Sequence, residues 1–65
     1  MERYQVYFKA ELFEDAKQYA DGWYGVGYNR REDAFEMYNW CRANDIEVEL
    51  HDNEYDVTFV NDEWY

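Results

Sequence analysis

Residues 46–59 read IEVELHDNEYDVTF, and apolar and polar side chains alternate with a period of two on both sides of a polar centre. Ile46, Val48 and Leu50 fall on one face of a strand, with Glu47, Glu49 and His51 on the other. A two-residue turn at Asp52 and Asn53 would set Leu50 opposite Tyr55, Val48 opposite Val57 and Ile46 opposite Phe59, so that every facing pair is apolar. The stretch therefore predicts a C-terminal β-hairpin over about residues 46–60. In the same register Glu47 faces Thr58, Glu49 faces Asp56 and His51 faces Glu54. Like charges directly opposite one another cost up to about 1 kcal/mol, which a small domain has little stability to absorb.

The hairpin needs something to cover its apolar face, and the preceding residues supply a helix. Asn29 stands three positions before Glu32, an Asn version of the capping box, and opens a helix over about residues 30–43. At 100° per residue Ala34, Met37, Tyr38 and Cys41 form its apolar seam, with Phe35 on the flank and Glu32, Glu36 and Asn39 turned away. Asn44 is the expected left-handed C-cap. Farther upstream Tyr4, Val6, Phe8, Ala10 and Leu12 alternate with Gln5, Tyr7, Lys9 and Glu11, the pattern of a half-buried strand. Residues 22–28, GWYGVGY, suit another strand with a bulge or a close backbone approach. Residues 11–21 fit a loop, one or two helical turns or an extension of the strand. The expected fold is α+β, an antiparallel sheet of three to four strands with one main helix packed on one face.

At 65 residues, without proline and with a single cysteine, the chain is one compact domain, 1–65, near the lower size limit for independent folding. A hydrophobic share of 48% and an aromatic share of 23% exceed what a disordered acidic tail carries. A deep substrate cavity would compete with the core for the same side chains. The net charge is −10, and its distribution is uneven: residues 1–31 are neutral, whereas residues 32–65 carry eleven acids against Arg42 alone. Such a field repels nucleic acid and anionic membrane and steers encounter with a basic partner.

Several chemistries are excluded by what the residues fail to assemble. His51 and Cys41, the only histidine and the only cysteine, fall on a strand face and on the helix seam, and there is no serine, so no nucleophile meets a base. The pair Glu49 and Asp56 on an open face lacks the enclosure that separates acid from base roles. No catalytic residue and no cofactor is assigned. Asp52, Glu54, Asp56, Thr58 and Glu63 follow calcium-loop spacing, but Val57 stands where that loop needs glycine, and no metal site is assigned. Residues 21–28 share Gly, Val and a final Tyr with the RNA-binding octamer of RRM domains, yet an acid replaces its leading base. Gly25 and Gly27 lead into no phosphate loop. The lone cysteine and the absence of a leader-like or spanning apolar segment point to a reducing, cytoplasmic setting, the host cytoplasm if the chain is phage-encoded.

The expected function is non-enzymatic: an acidic inhibitor or modulator that binds the basic surface of a nucleic-acid-binding protein through Glu47, Glu49, Glu54 and Asp56, with Glu36 and Trp40 on the helix surface. Carboxylates at i and i+2 of a strand recur about every 6.8 Å, and two neighbouring strands approach the charge spacing of one DNA strand, about 3.4 Å. Trp40 among acids suits an Arg-rich partner. In composition the chain resembles small phage-encoded proteins that inhibit host nucleic-acid machinery, some by mimicking DNA charge. The alternative is a structural domain that forms homodimers through exposed aromatics, its acidity serving solubility.

Overall fold

The N-terminal alternation forms the middle of a six-stranded antiparallel sheet. The computed structural model describes residues 2–65, with β1 (Tyr4–Phe8), β2 (Lys17–Gln18), β3 (Tyr24–Tyr28), α1 (Arg31–Ala43), β4 (Val48–Asp52), β5 (Val57–Val60) and β6 (Glu63–Trp64). The strand order is β2-β3-β1-β4-β5-β6, and α1 connects β3 to β4, which flank β1 on either side. The fold is α+β. More strands are present than the three to four expected, because two-residue strands add an edge on each side of four longer ones.

One face of the sheet meets the helix and makes the core. Tyr4, Val6 and Phe8 of β1, Val48 and Leu50 of β4, and Ala34, Met37, Tyr38 and Cys41 of α1 are all buried. The four helical residues are the seam read from the sequence, since three- and four-residue spacing brings them under one another. Leu12 and Ala16 pack against this core from the loop after β1, although the strand itself ends at Phe8.

Both ends of α1 depart from the expected caps. Arg30 is the N-cap, in extended conformation and without a side-chain cap, and its guanidinium lies 2.6 Å from the Glu32 carboxylate. Glu32 is thereby drawn to Arg30 instead of closing a capping box with Asn29. At the other end the left-handed residue is Asp45 (φ 57°), not Asn44, which sits at φ −104°. The N–H of Asp45 donates to the Arg42 carbonyl and that of Ile46 to the Cys41 carbonyl at 2.9 Å, the paired bonds of a Schellman ending. Asn44 contributes its side chain, whose Nδ2 donates to the Trp40 carbonyl at 2.8 Å.

The C-terminal hairpin forms, but in a different register from that expected. Leu50 faces Phe59, His51 faces Thr58 and Asp52 faces Val57, around a four-residue turn at residues 53–56. The shift is even, so each side chain keeps its face while changing its partner. Asp52 decides the turn. Its Oδ1 accepts the Glu54 N–H at 2.9 Å, while Arg3 donates to both carboxylate oxygens, at 3.3 and 3.2 Å. Asp52 is thus held at the end of β4 and cannot serve as a turn residue. A second, tighter turn joins β5 to β6: Asn61 and Asp62 are both left-handed, as a two-residue hairpin loop requires, and Val60 pairs with Glu63. Trp64 then packs on Phe59 and Phe35, with ring centroids at 5.0 and 6.1 Å.

Candidate protein-interaction surface

The residues expected to bind a partner lie in three places. Glu36 and Trp40 occupy the outer side of α1, where Leu12, Phe13 and Met37 complete a shallow apolar groove. Trp40 is 50% exposed and Phe13 43%, an unusual amount of aromatic surface to leave in water. Glu47, just before β4, lines a shallow concavity with Arg42, Asp45 and Asp62 at the C-terminal end of the helix. Glu54 and Asp56 belong to the turn at the far end of β4, and they face neither His51 nor Glu49 in the manner expected. The opposed pair Glu49 and Asp56 does not form, and neither does the pairing of Glu47 with Thr58, because the four-residue turn moves β5 along.

Glu54 and Asp56 are also partly engaged locally. Glu54 Oε2 lies 3.0 Å from Arg3 Nη2, and Asp56 Oδ1 lies 3.2 Å from His51 Nε2, whose other ring nitrogen is 3.0 Å from Thr58 Oγ1. The hairpin end is therefore a knot of mixed charge, with Arg3 also stacked over Tyr4 and Tyr55.

The Lys and Arg side chains are likewise engaged. Arg3, Arg30 and Arg42 pair with acids, and Lys9, Lys17 and Arg31 lie over the rings of Trp23, Tyr19 and Phe35. Among the described residues no Lys, Arg or His nitrogen lies within 4.0 Å of Glu36, Asp45, Glu47 or Glu49. Uncompensated charge is therefore spread widely, and on the second half of the chain it includes the helix flank, the helix C-terminus and the open face of β4.

That open face holds a feature the sequence reading missed. Tyr7 of β1 lies between Gly25 of β3 and Glu49 of β4, on the side turned away from α1. Tyr19 packs edge-on against it, with ring centroids 5.4 Å apart. The N–H of Tyr19 donates to the Trp23 carbonyl at 2.7 Å, across a tight reversal in which Asp21 and Gly22 both take positive φ. Tyr7, Tyr19, Ala20, Trp23 and Glu49 together line a hollow. Burial, and then the neighbouring Tyr19, raise the Tyr7 hydroxyl above its ordinary pKa, so it stays neutral. The available signal was Tyr7 itself, an aromatic side chain on the polar face of an alternating strand.

Among the described residues no cluster of three His, Cys, Asp or Glu side chains is arranged to hold a metal ion, and no helix is long and apolar enough to cross a membrane. Comparison with protein-family models, curated proteins and solved structures gives no match, so the surface is read from its own chemistry.

Proposed function

We propose that this chain is a non-enzymatic acidic inhibitor or modulator that docks on the basic, nucleic-acid-binding surface of another protein and occupies it in place of the nucleic acid. One observation carries the reading: each of the six Lys and Arg side chains pairs with an acid or lies over a ring of the same chain, whereas most of the acids, Glu36, Asp45, Glu47 and Glu49 among them, have no cationic partner among the described residues. Negative charge left without internal compensation is available to a basic partner and supplies both steering and charge-assisted hydrogen bonds. Glu54 and Asp56 contribute to the long-range field, and Trp40 with Phe13 provides an apolar anchor beside Glu36. The small size favours action by occupancy, in the style of phage-encoded proteins directed against host defence or nucleic-acid machinery.

The test is capture from a bacterial lysate at low and high salt, comparing wild type with the triple variant Glu36→Gln, Glu47→Gln, Glu49→Gln. The captured protein is then assayed for binding of an oligonucleotide as the acidic chain is added. Displacement of the oligonucleotide by wild type, lost with salt and with neutralisation, is the expected result. Capture that is indifferent to both would remove the charge reading. The exposed Phe13 and Trp40 favour one competitor, self-association, which sedimentation detects as a dimer that persists or tightens as salt rises.

A further inference from the structure

We propose that the hollow bounded by Tyr7, Tyr19 and Trp23, with Glu49 at its edge, receives an arginine side chain of the basic partner. The inference deepens the proposed function and rests on it.

The hollow exists because of a glycine. A Cβ at Gly25 would come within 2.8 Å of Tyr19 Cε2 and 3.1 Å of Tyr7 Cδ1, so only a bare backbone lets both rings come so close to the sheet there. Trp23 is brought to the same side by the positive φ of Asp21 and Gly22, which reverses the chain between Tyr19 and Trp23. Three aromatic rings are thus gathered around one concavity.

Ring faces carry negative electrostatic potential, and these rings already attract cations. Lys17 Nζ lies 5.3 Å from the Tyr19 ring centre and Lys9 Nζ 6.0 Å from that of Trp23. Neither lysine lines the hollow, whose one charged wall is Glu49, a partly exposed residue. Among the described residues Glu49 receives no ion pair, so a cation entering between the rings meets an acceptor with its hydrogen-bonding capacity free. Lys9 and Lys17 oppose an incoming cation, and Glu49, with the net charge of −10 on the whole chain, offsets them.

A guanidinium fits this arrangement better than an ammonium. It is planar, so it stacks flat on an aromatic ring, and its fork of donors matches both oxygens of a carboxylate. The groove at Trp40 also has a carboxylate, Glu36, but its other walls are Leu12, Phe13 and Met37, with one ring pair in place of three gathered aromatics, and it suits an apolar side chain.

The experiment follows the three indole N–H resonances in 1H–15N spectra of the 15N-labelled full chain, assigned with Trp23→Phe and Trp40→Phe. A peptide of alternating arginine and glycine, and its lysine counterpart, are titrated in at constant low salt. The Trp23 resonance should move saturably with the arginine peptide while that of Trp64 stays, and the lysine peptide should bind several-fold more weakly. Glu49→Gln, a surface change whose folding the same spectra report, should weaken the arginine peptide about tenfold. If Trp40 moves and Trp23 does not, the hollow is the wrong site although a basic partner survives. If the arginine peptide does not bind at all, the basic-partner reading falls with it. An unchanged affinity in Glu49→Gln also overturns the assignment.

Discussion

Arg3 grips Asp52 with two nitrogens, Nε to Oδ1 at 3.3 Å and Nη2 to Oδ2 at 3.2 Å, and so joins the start of the chain to the turn of its last hairpin. The contact spans 49 positions in sequence. Asp52 is 5% exposed, and its other attachment is the Glu54 N–H, so the guanidinium and the turn together compensate a buried carboxylate. Arg3→Ala is expected to lower the melting temperature by roughly 5 °C or more, because a buried acceptor loses its charged partner. Arg42→Ala, which breaks only exposed contacts with Asn61 and Asp62, should change it little. Thermal melts of the two variants side by side decide the point, and equal losses would show that the Arg3 pair has no special weight.

The same pair sets a pH dependence. Arg3 holds the Asp52 carboxyl below its ordinary value, helped by the hydrogen bond from Glu54 and opposed by burial. A carboxyl whose pKa is lower in the folded state stabilises fully above its unfolded value, near 3.9, and loses that contribution as pH falls through the folded one. Wild type should therefore lose stability in acid below about pH 4, and Asp52→Asn should lose less across that window. Urea midpoints measured from pH 6 down to pH 2 give the comparison.

Gly25 and Gly27 lie two residues apart on one strand and should respond differently to alanine. A methyl at Gly25 strikes the Tyr19 and Tyr7 rings, whereas at Gly27 it meets the end of the Glu2 side chain, which is exposed and can swing away. Gly25→Ala is expected to cost about 1 kcal/mol and to push Tyr19 off the sheet, and Gly27→Ala to be near neutral. Chemical denaturation reads the first effect and the dispersion of Tyr19 ring signals the second.

Cys41 is buried on the helix seam, and burial pushes its thiol up to about 11. A thiolate is the reactive form, so a disulfide reagent at pH 8 should label the native chain only as fast as it opens, and label the urea-unfolded chain at once. Cys41→Ser should cost roughly 1–3 kcal/mol by burying a hydroxyl in an apolar seam, more than Cys41→Ala, which leaves only a small void. Rapid native labelling would mean that the helix seam is open to solvent.

The elements whose partners lie close in sequence, or whose pattern is strongly periodic, were legible before the structure. Ala34, Met37, Tyr38 and Cys41 declared the buried side of α1, and Tyr4, Val6 and Phe8 that of β1. The hairpin was legible as a hairpin but not in its register, because Leu50 meets an apolar residue whether it faces Tyr55 or Phe59. What breaks that tie is Arg3, a residue no local pattern connects to Asp52. The candidate surface was legible as charge and not as shape. Glu49 could be named from its strand, but its neighbours Tyr7, Tyr19 and Trp23 come from β1 and from the turn before β3, and only the strand order brings them together.

The last two-residue strand offers a further test of what holds a short edge in place. β6 has two ladder pairs with β5, which Tyr65 extends by exchanging both backbone bonds with Thr58, at 2.9 and 2.7 Å. So few hydrogen bonds, each with a small net contribution, would not by themselves order the segment. Trp64 supplies the remainder by packing on Phe59 and Phe35, and Tyr38, buried below, accepts the Asp62 N–H at 3.2 Å and pins the turn. Trp64 is 39% exposed, so Trp64→Ala forfeits part of an aromatic burial, about 1–2 kcal/mol in urea unfolding. Because the turn loses the packing that follows it, the amide protons of Thr58 and Tyr65 should exchange with solvent much faster in the variant, while those of β1 and β4 slow or quicken only with global stability. Uniform acceleration throughout the sheet would mean that β6 is a cooperative part of the core and not an edge held by one side chain.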